Sequence, residues 1–195
     1  PGAQFYGIGG PKMQAAGFQA HYPAEKLAVR GYVEVLRHYR EITGIRRKLL
    51  GALLREPPDA FIGIDAPDFN LHLERRLKRA GIPAIHYVSP SIWAWRGGRI
   101  HAIARSVSHM LTLFPFEEPL YRRHGIPVTY VGHPLADLIP LEASQAAARE
   151  RLGLSLGQRV FALLPGSRRS ELRHLAAPFI ETARLLCGRY PDARF

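Results

Sequence analysis

The stretch Ala60-Phe-Ile-Gly-Ile-Asp-Ala-Pro-Asp-Phe-Asn70 decides the fold. Residues 60–64 are a continuous apolar run of strand length, and Asp65 follows directly. Beyond Pro67, the positions Phe69, Leu73, Leu77 and Ala80 recur at helical spacing, with Gly81 as the stop. A short apolar strand feeding an amphipathic helix is half of a βαβ unit, whose strands lie in a parallel sheet covered by helices.

The same alternation extends in both directions. Downstream, Pro83–Val88 reads as a strand, Arg96–Arg105 as a short helix and Val107–Phe114 as another strand. Glu117–His124 follows as a helix closed by Gly125, and Val128–Val131 as a further strand. Upstream, Gln4–Gly10 reads as a strand ending in glycines, and Pro11–Ala16 as a helix with proline in its tolerated first turn. Ile42, Ile45, Leu49 and Leu53 mark a helix from about His38 to Arg55, which Pro57-Pro58 stops. Residues 1–131 are therefore expected to form a Rossmann-like α/β domain lacking its opening strand and first helix. Residues 132–143 break the rhythm and read as a linker. Residues 144–195 read as the truncated start of a second such domain: a helix over Ala146–Leu152, a strand over Arg159–Leu164, the turn Pro165-Gly-Ser-Arg168, then a helical face of Leu172, Leu175, Phe179, Ala183 and Leu186. Two Rossmann-like domains in tandem fit the GT-B arrangement, although periodicity does not separate it from other paired Rossmann folds.

At 195 residues, 47% hydrophobic and 22% charged, the composition is that of a globular chain. Both ends read as cuts within a longer protein. The 27 Lys and Arg exceed the 16 Asp and Glu by 11, which points to an anionic partner: nucleic acid, phosphorylated substrate or acidic lipid. A general arginine-rich bias explains part of that excess equally well. The single cysteine, Cys187, excludes an internal disulfide and reads as a small buried hydrophobe. No stretch reaches the ~20 apolar residues that span a bilayer.

Chemistry-bearing residues concentrate after strands, where open α/β sheets place their ligands. Asp65 stands at a strand's carboxyl end, a position suited to a general base. Asp68 is placed to cap the following helix. Their Asp-x-x-Asp spacing is not the Asp-x-Asp of metal-dependent glycosyltransferases, and no other cluster has ligand spacing, so no metal is expected. Ser89-Pro-Ser-Ile-Trp-Ala-Trp-Arg96 follows the next strand with both tryptophans of the chain. Trp93, Trp95 and Arg96 suit contact with sugar, acyl chain or phosphate, and equally a core indole beside a loop seal. In the turn Pro165–Arg168, Gly166 permits close approach, Ser167 lies at a helix start and Arg168 is a bidentate donor, which together suit a diphosphate. Gly7-Ile-Gly-Gly10 lacks the full dinucleotide fingerprint, so no NAD site is read from it. His86 reads as a buried strand residue, and His133 as either structural or cleft-facing.

Six blocks in order resemble the lipid-A-disaccharide synthase family. They are Gly10-Pro-Lys-Met-Gln14, Gly31-Tyr-Val-Glu-Val-Leu36, Gly63-Ile-Asp-Ala-Pro-Asp-Phe-Asn70, His86-Tyr-Val-Ser-Pro-Ser-Ile-Trp-Ala-Trp-Arg96, Tyr130-Val-Gly-His-Pro134 and Leu163-Leu-Pro-Gly-Ser-Arg168. The third and fourth are the specific ones. The resemblance implies a GT-B fold and transfer of diacylglucosamine from UDP-2,3-diacylglucosamine to 2,3-diacylglucosamine 1-phosphate, with inversion and without a cofactor. It implies Asp65 as base and Arg168 as a second essential residue. On the substrate side it implies Asp68, Asn70, Ser89, Pro90, Trp93, Trp95, Arg96, His133, Gly166 and Ser167. It further implies a cytoplasmic protein held peripherally at an anionic inner-membrane surface, and leaves a homodimer open. The family's Gly-rich opening segment is absent from this sequence.

Two other classes compete. One is another GT-B enzyme, such as a UDP-sugar epimerase or an undecaprenyl-pathway transferase. The other is a basic RNA- or membrane-binding module. An RNA binder gathers arginines and aromatics on one surface. The arginines here are dispersed over several helices, so no nucleic-acid partner is expected.

Overall fold

The computed structural model describes residues 2–23, 32–95, 97–167 and 169–195. The chain divides into two compact units, Pro1–Ala136 and Asp137–Phe195.

The first unit opens with β1 (Tyr6–Gly9), α1 (Pro11–Ala15) and β2 (Gln19–Pro23), in which β1 and β2 pair parallel as a sheet of their own. The strand β2 was not anticipated: its alternation of polar and small residues carries no apolar run. The long helix α2 (Tyr32–Arg55) then leads to β3 (Phe61–Ile64), α3 (Pro67–Arg79), β4 (Ala84–Tyr87), α4 (Ile92–Trp95), α5 (Ile100–Ser106), β5 (His109–Thr112), α6 (Glu118–Arg123) and β6 (Val128–Tyr130). Strands β3 to β6 form a four-stranded, all-parallel sheet in sequence order. The expected α/β class and parallel pairing are therefore observed.

Helix α3 positions the rest. Phe69, Leu73 and Leu77 bury one stripe of it against Ile45, Leu49 and Leu53 of α2 and against Ile82. Leu71, on another face, packs on a second cluster of Ile92, Ile100, Ile103, Val107, Met110, Tyr121 and Ile126. Burying each such aliphatic side chain contributes about 1.5–3 kcal/mol. A surface pair such as Arg122–Glu118 contributes only ~0.3–0.5 kcal/mol. Apolar spacing, not charge, therefore fixes where α3 lies. At its end, Lys78 Nζ donates to the carbonyls of Ala104 and Val107, closing the carboxyl end of α5 onto α3.

The second unit is thinner. Ser144 accepts a hydrogen bond from the Ala147 N–H and caps α8 (Gln145–Arg151), and α9 runs from Arg169 to Arg189. The strand expected over Arg159–Leu164 is not formed. Only Val160 bridges, in parallel, to Arg194, because one neighbouring residue is the whole of its ladder among the described residues. The expected linker carries a short helix, α7 (Pro134–Leu138). Along α9, Phe179, Ala183 and Leu186 make a half-buried stripe, whereas Leu172 and Leu175 are exposed. Cys187 is exposed, against expectation, since it sits one residue round the helix from that stripe.

Candidate active site at the strand ends

After β3 the backbone turns through two left-handed residues that are not glycine, Asp65 at φ 51° and Ala66 at φ 43°. The Asp65 N–H donates to Tyr87 O at 2.9 Å, which ties this turn to the end of β4. Asn70 reaches back from α3, its Nδ2 donating to Asp65 O at 2.8 Å and to Ile64 O at 3.3 Å. The Asp65 side chain is left exposed at the sheet's carboxyl edge. Ala66 is the helix N-cap and has no side-chain cap, with Pro67 in the first turn. Asp68 therefore does not cap α3. It lies too far inside the helix to do so, and its exposed carboxylate instead accepts from Arg99. Arg46 donates to its carbonyl at 3.3 Å.

The end of β4 is also strained. Val88 holds φ 78°, an outlying conformation for a β-branched residue. Asp65, Ala66 and Val88 are the non-glycine residues with positive φ among those described, and all three lie at the ends of two neighbouring strands. Strain of this kind costs roughly 1–3 kcal/mol per residue and persists where surrounding structure over-determines it. Half-buried Ser89 shares a hydrogen bond of 2.7 Å with the Tyr121 hydroxyl, and Pro90 is half-buried beside it. Burial pushes the Tyr121 phenol up to about 12, with the nearby Glu117 carboxylate acting in the same direction.

Ile92 anchors α4 in the core while Trp93 stays 53% exposed. Its ring meets Phe116 edge-on at 5.1 Å, Phe116 stacks on Phe114 at 5.5 Å, and Phe114 lies 6.0 Å from the His133 ring. Trp93 and His133, which the sequence suggested separately, thus belong to one exposed aromatic ledge built at the ends of β4, β5 and β6. Sequence reasoning missed Phe114 and Phe116. The signal was present, since Phe114-Pro-Phe116 follows β5 as the tryptophan loop follows β4. His133 Nδ1 accepts from the Leu135 N–H at 3.1 Å, so in the neutral ring the proton sits on Nε2.

Beneath the edge lies a polar floor. Glu74 of α3 and His86 of β4 are both fully buried, with Oε1 and Nδ1 2.6 Å apart. Burial raises the Glu74 carboxyl above its ordinary range, against the lowering effect of the bond to His86. Glycine at 63 makes the pair possible. A Cβ there would overlap Glu74 Oε1 and come within 3.0 Å of Asn70 Cβ. His86 is buried as its strand position implied. Glu74 gave no sign of burial in a run of charged residues.

In the second unit, Gly166 adopts φ 113°, and the Ser167 N–H donates to Glu171 Oε2 at 2.9 Å. The donor expected to be open to phosphate is thus engaged by an internal carboxylate. Trp95 closes α4, whereas Arg96 and Arg168 lie outside the described residues.

Among the described residues, no group of His, Cys, Asp and Glu is arranged to hold a metal ion, and no helix is long and apolar enough to cross a membrane. A family model described as lipid-A-disaccharide synthetase matches residues 1–195. A protein named lipid-A-disaccharide synthase from Azoarcus sp. (strain BH72) is 66% identical over 195 residues, all of this chain and 50% of the relative. One of the same name from Aromatoleum aromaticum is 67% identical, again over all of this chain and 50% of the relative. A third, from Dechloromonas aromatica, is 59% identical over 196 residues and 51% of its length. The chain spans about half the length of the curated relatives it matches. With its parallel α/β architecture and its match to the family model over every residue, the chain belongs to the lipid-A-disaccharide synthase family of GT-B glycosyltransferases.

Proposed function

We propose that the chain supplies the acceptor-side domain, and the first part of the donor-side domain, of an enzyme that builds the lipid A disaccharide. The donor is UDP-2,3-diacylglucosamine and the acceptor 2,3-diacylglucosamine 1-phosphate. Asp65 takes the proton of the acceptor's primary hydroxyl as that oxygen bonds to the donor's anomeric carbon. The carbon–phosphate oxygen bond breaks on the opposite side, and UDP leaves with the electron pair, so the configuration inverts. Arg168 and the Gly166–Ser167 turn neutralise charge on the departing diphosphate, whose oxygens displace Glu171. No step calls for a metal. The exposed ledge of Trp93, Phe114 and Phe116 suits the apolar part of an acylated sugar.

The observation that carries this reading is the gathering of Asp65, Ala66 and Val88 in strained conformations at two adjacent strand ends, with an exposed carboxylate among them. Base assistance of this kind contributes ~100–10,000-fold. Asp65→Asn, in a protein carrying this chain together with the remainder its relatives span, should fold, bind UDP and lose most of its turnover. Near-normal turnover places the base elsewhere.

We further propose peripheral attachment at the cytoplasmic face of the inner membrane. The chain carries a net charge of +11. Each Lys or Arg near an acidic lipid surface contributes ~1 kcal/mol. Co-sedimentation with anionic vesicles should fall as salt is raised, and equal binding to neutral vesicles ends the proposal.

A further inference from the structure

We propose that Asn70 is a positioning residue for the Asp65 base, holding the left-handed turn that presents the carboxylate, and not a substrate contact. The inference rests on the reading of Asp65 as the base. Two successive left-handed residues with side chains do not persist unaided. One amide nitrogen, Asn70 Nδ2, donates to two successive carbonyls, Ile64 O at the entry to the bend and Asp65 O within it. The Asn70 amide nitrogen is engaged in this task, and the residue is only 9% exposed. Its distance from the turn is set from below. Gly63 lets α3 lie close on β3, where a Cβ would strike Glu74 and Asn70, and Glu74 is in turn clamped by His86 at 2.6 Å. The chain of support runs from the buried pair through α3 to Asn70, and from Asn70 to the backbone of the reacting residue.

Displacements of about 1 Å in catalytic groups can cost ~100-fold in rate. In the full-length form, Asn70→Ala should therefore lower kcat by about 100-fold while KM stays within about twofold. Adding Ala66→Gly should restore part of that loss, because glycine holds a left-handed conformation without a side-chain clash. Asn70→Asp keeps the shape, cannot donate, and sets a negative charge beside Asp65. It should lower kcat and move the acid limb of the pH–rate profile upward. If Asn70→Ala does not fold, the isosteric Asn70→Asp carries the rate and pH readouts alone. A raised KM at unchanged kcat makes Asn70 a substrate ligand and overturns the proposal, as does an Asn70→Asp enzyme with an unaltered profile and rate. Asp65→Asn is assayed alongside. If it is inactive while Asn70→Ala is not, only the positioning role fails. If Asp65→Asn retains turnover, the base assignment itself fails.

Discussion

Each unit of the chain sets a glycine against a glutamate from the helix that follows, and the two pairs have different fates. A Cβ at Gly63 would meet Glu74, and one at Gly166 would meet Glu171. Glu74 is fully buried and bonded to His86, on the helix whose Leu73 and Leu77 share a core with Leu49 of α2. Glu171 is half-buried and serves its own turn through the Ser167 N–H, beside a helix with no fully buried residue among those described. The same local arrangement becomes a rigid floor only where a sheet already exists to seal it. In the second unit Leu164, just before the turn, is 77% exposed, and the strand it should end is a single bridge.

The contrast is open to direct challenge in the 195-residue chain. The largest effect is expected from Glu74→Ala, which leaves His86 buried without its partner and should cost about 2–4 kcal/mol. Glu171→Ala loses a hydrogen bond at a half-exposed turn and should cost about 1 kcal/mol. Urea denaturation of the two variants measures both, and equal losses would break the distinction between floor and turn.

A smaller effect sharpens the comparison from the other side. Tyr121→Phe removes the hydroxyl bonded to Ser89 and should cost about 1 kcal/mol at neutral pH. Its pH dependence is more telling. The phenol's pKa is pushed up to about 12 in the folded chain, so the unfolded chain releases this proton first. Stability from this group is complete below about pH 10 and is lost as pH rises toward 12, roughly 2–3 kcal/mol in all. The Phe variant should lack that part of the alkaline loss. If its alkaline melting curve parallels that of the unmodified chain, Tyr121 is not the group responsible.

The strand-end positions of Asp65 and of the Ser89–Trp95 loop were legible from sequence because they depend on local rules. An apolar run sets a strand, apolar residues at helical spacing set the following helix, and the residue between them must stand at the sheet's edge. The same rules identified α2 and α3 by their stripes and His86 as a buried strand residue. They failed where the outcome depends on what arrives from elsewhere. Asp68 looked like a cap until Pro67 and the left-handed Ala66 fixed the helix start ahead of it. Residues 159–164 have strand composition but gain only one pairing partner among the described residues, and a strand is defined by its neighbours. Glu74, among Arg75, Arg76 and Lys78, has the pattern of a solvated face. It is buried because Gly63, eleven residues earlier, leaves room beneath it and His86 on the next strand offers a partner. Sequence by itself thus determined which faces are apolar and where the strands of the four-stranded sheet end, since both follow from the period of one segment. Tertiary structure alone decided which polar residue is drawn inside and that Asn70 braces the turn at Asp65, because burying a polar group costs free energy unless another segment supplies its hydrogen bond.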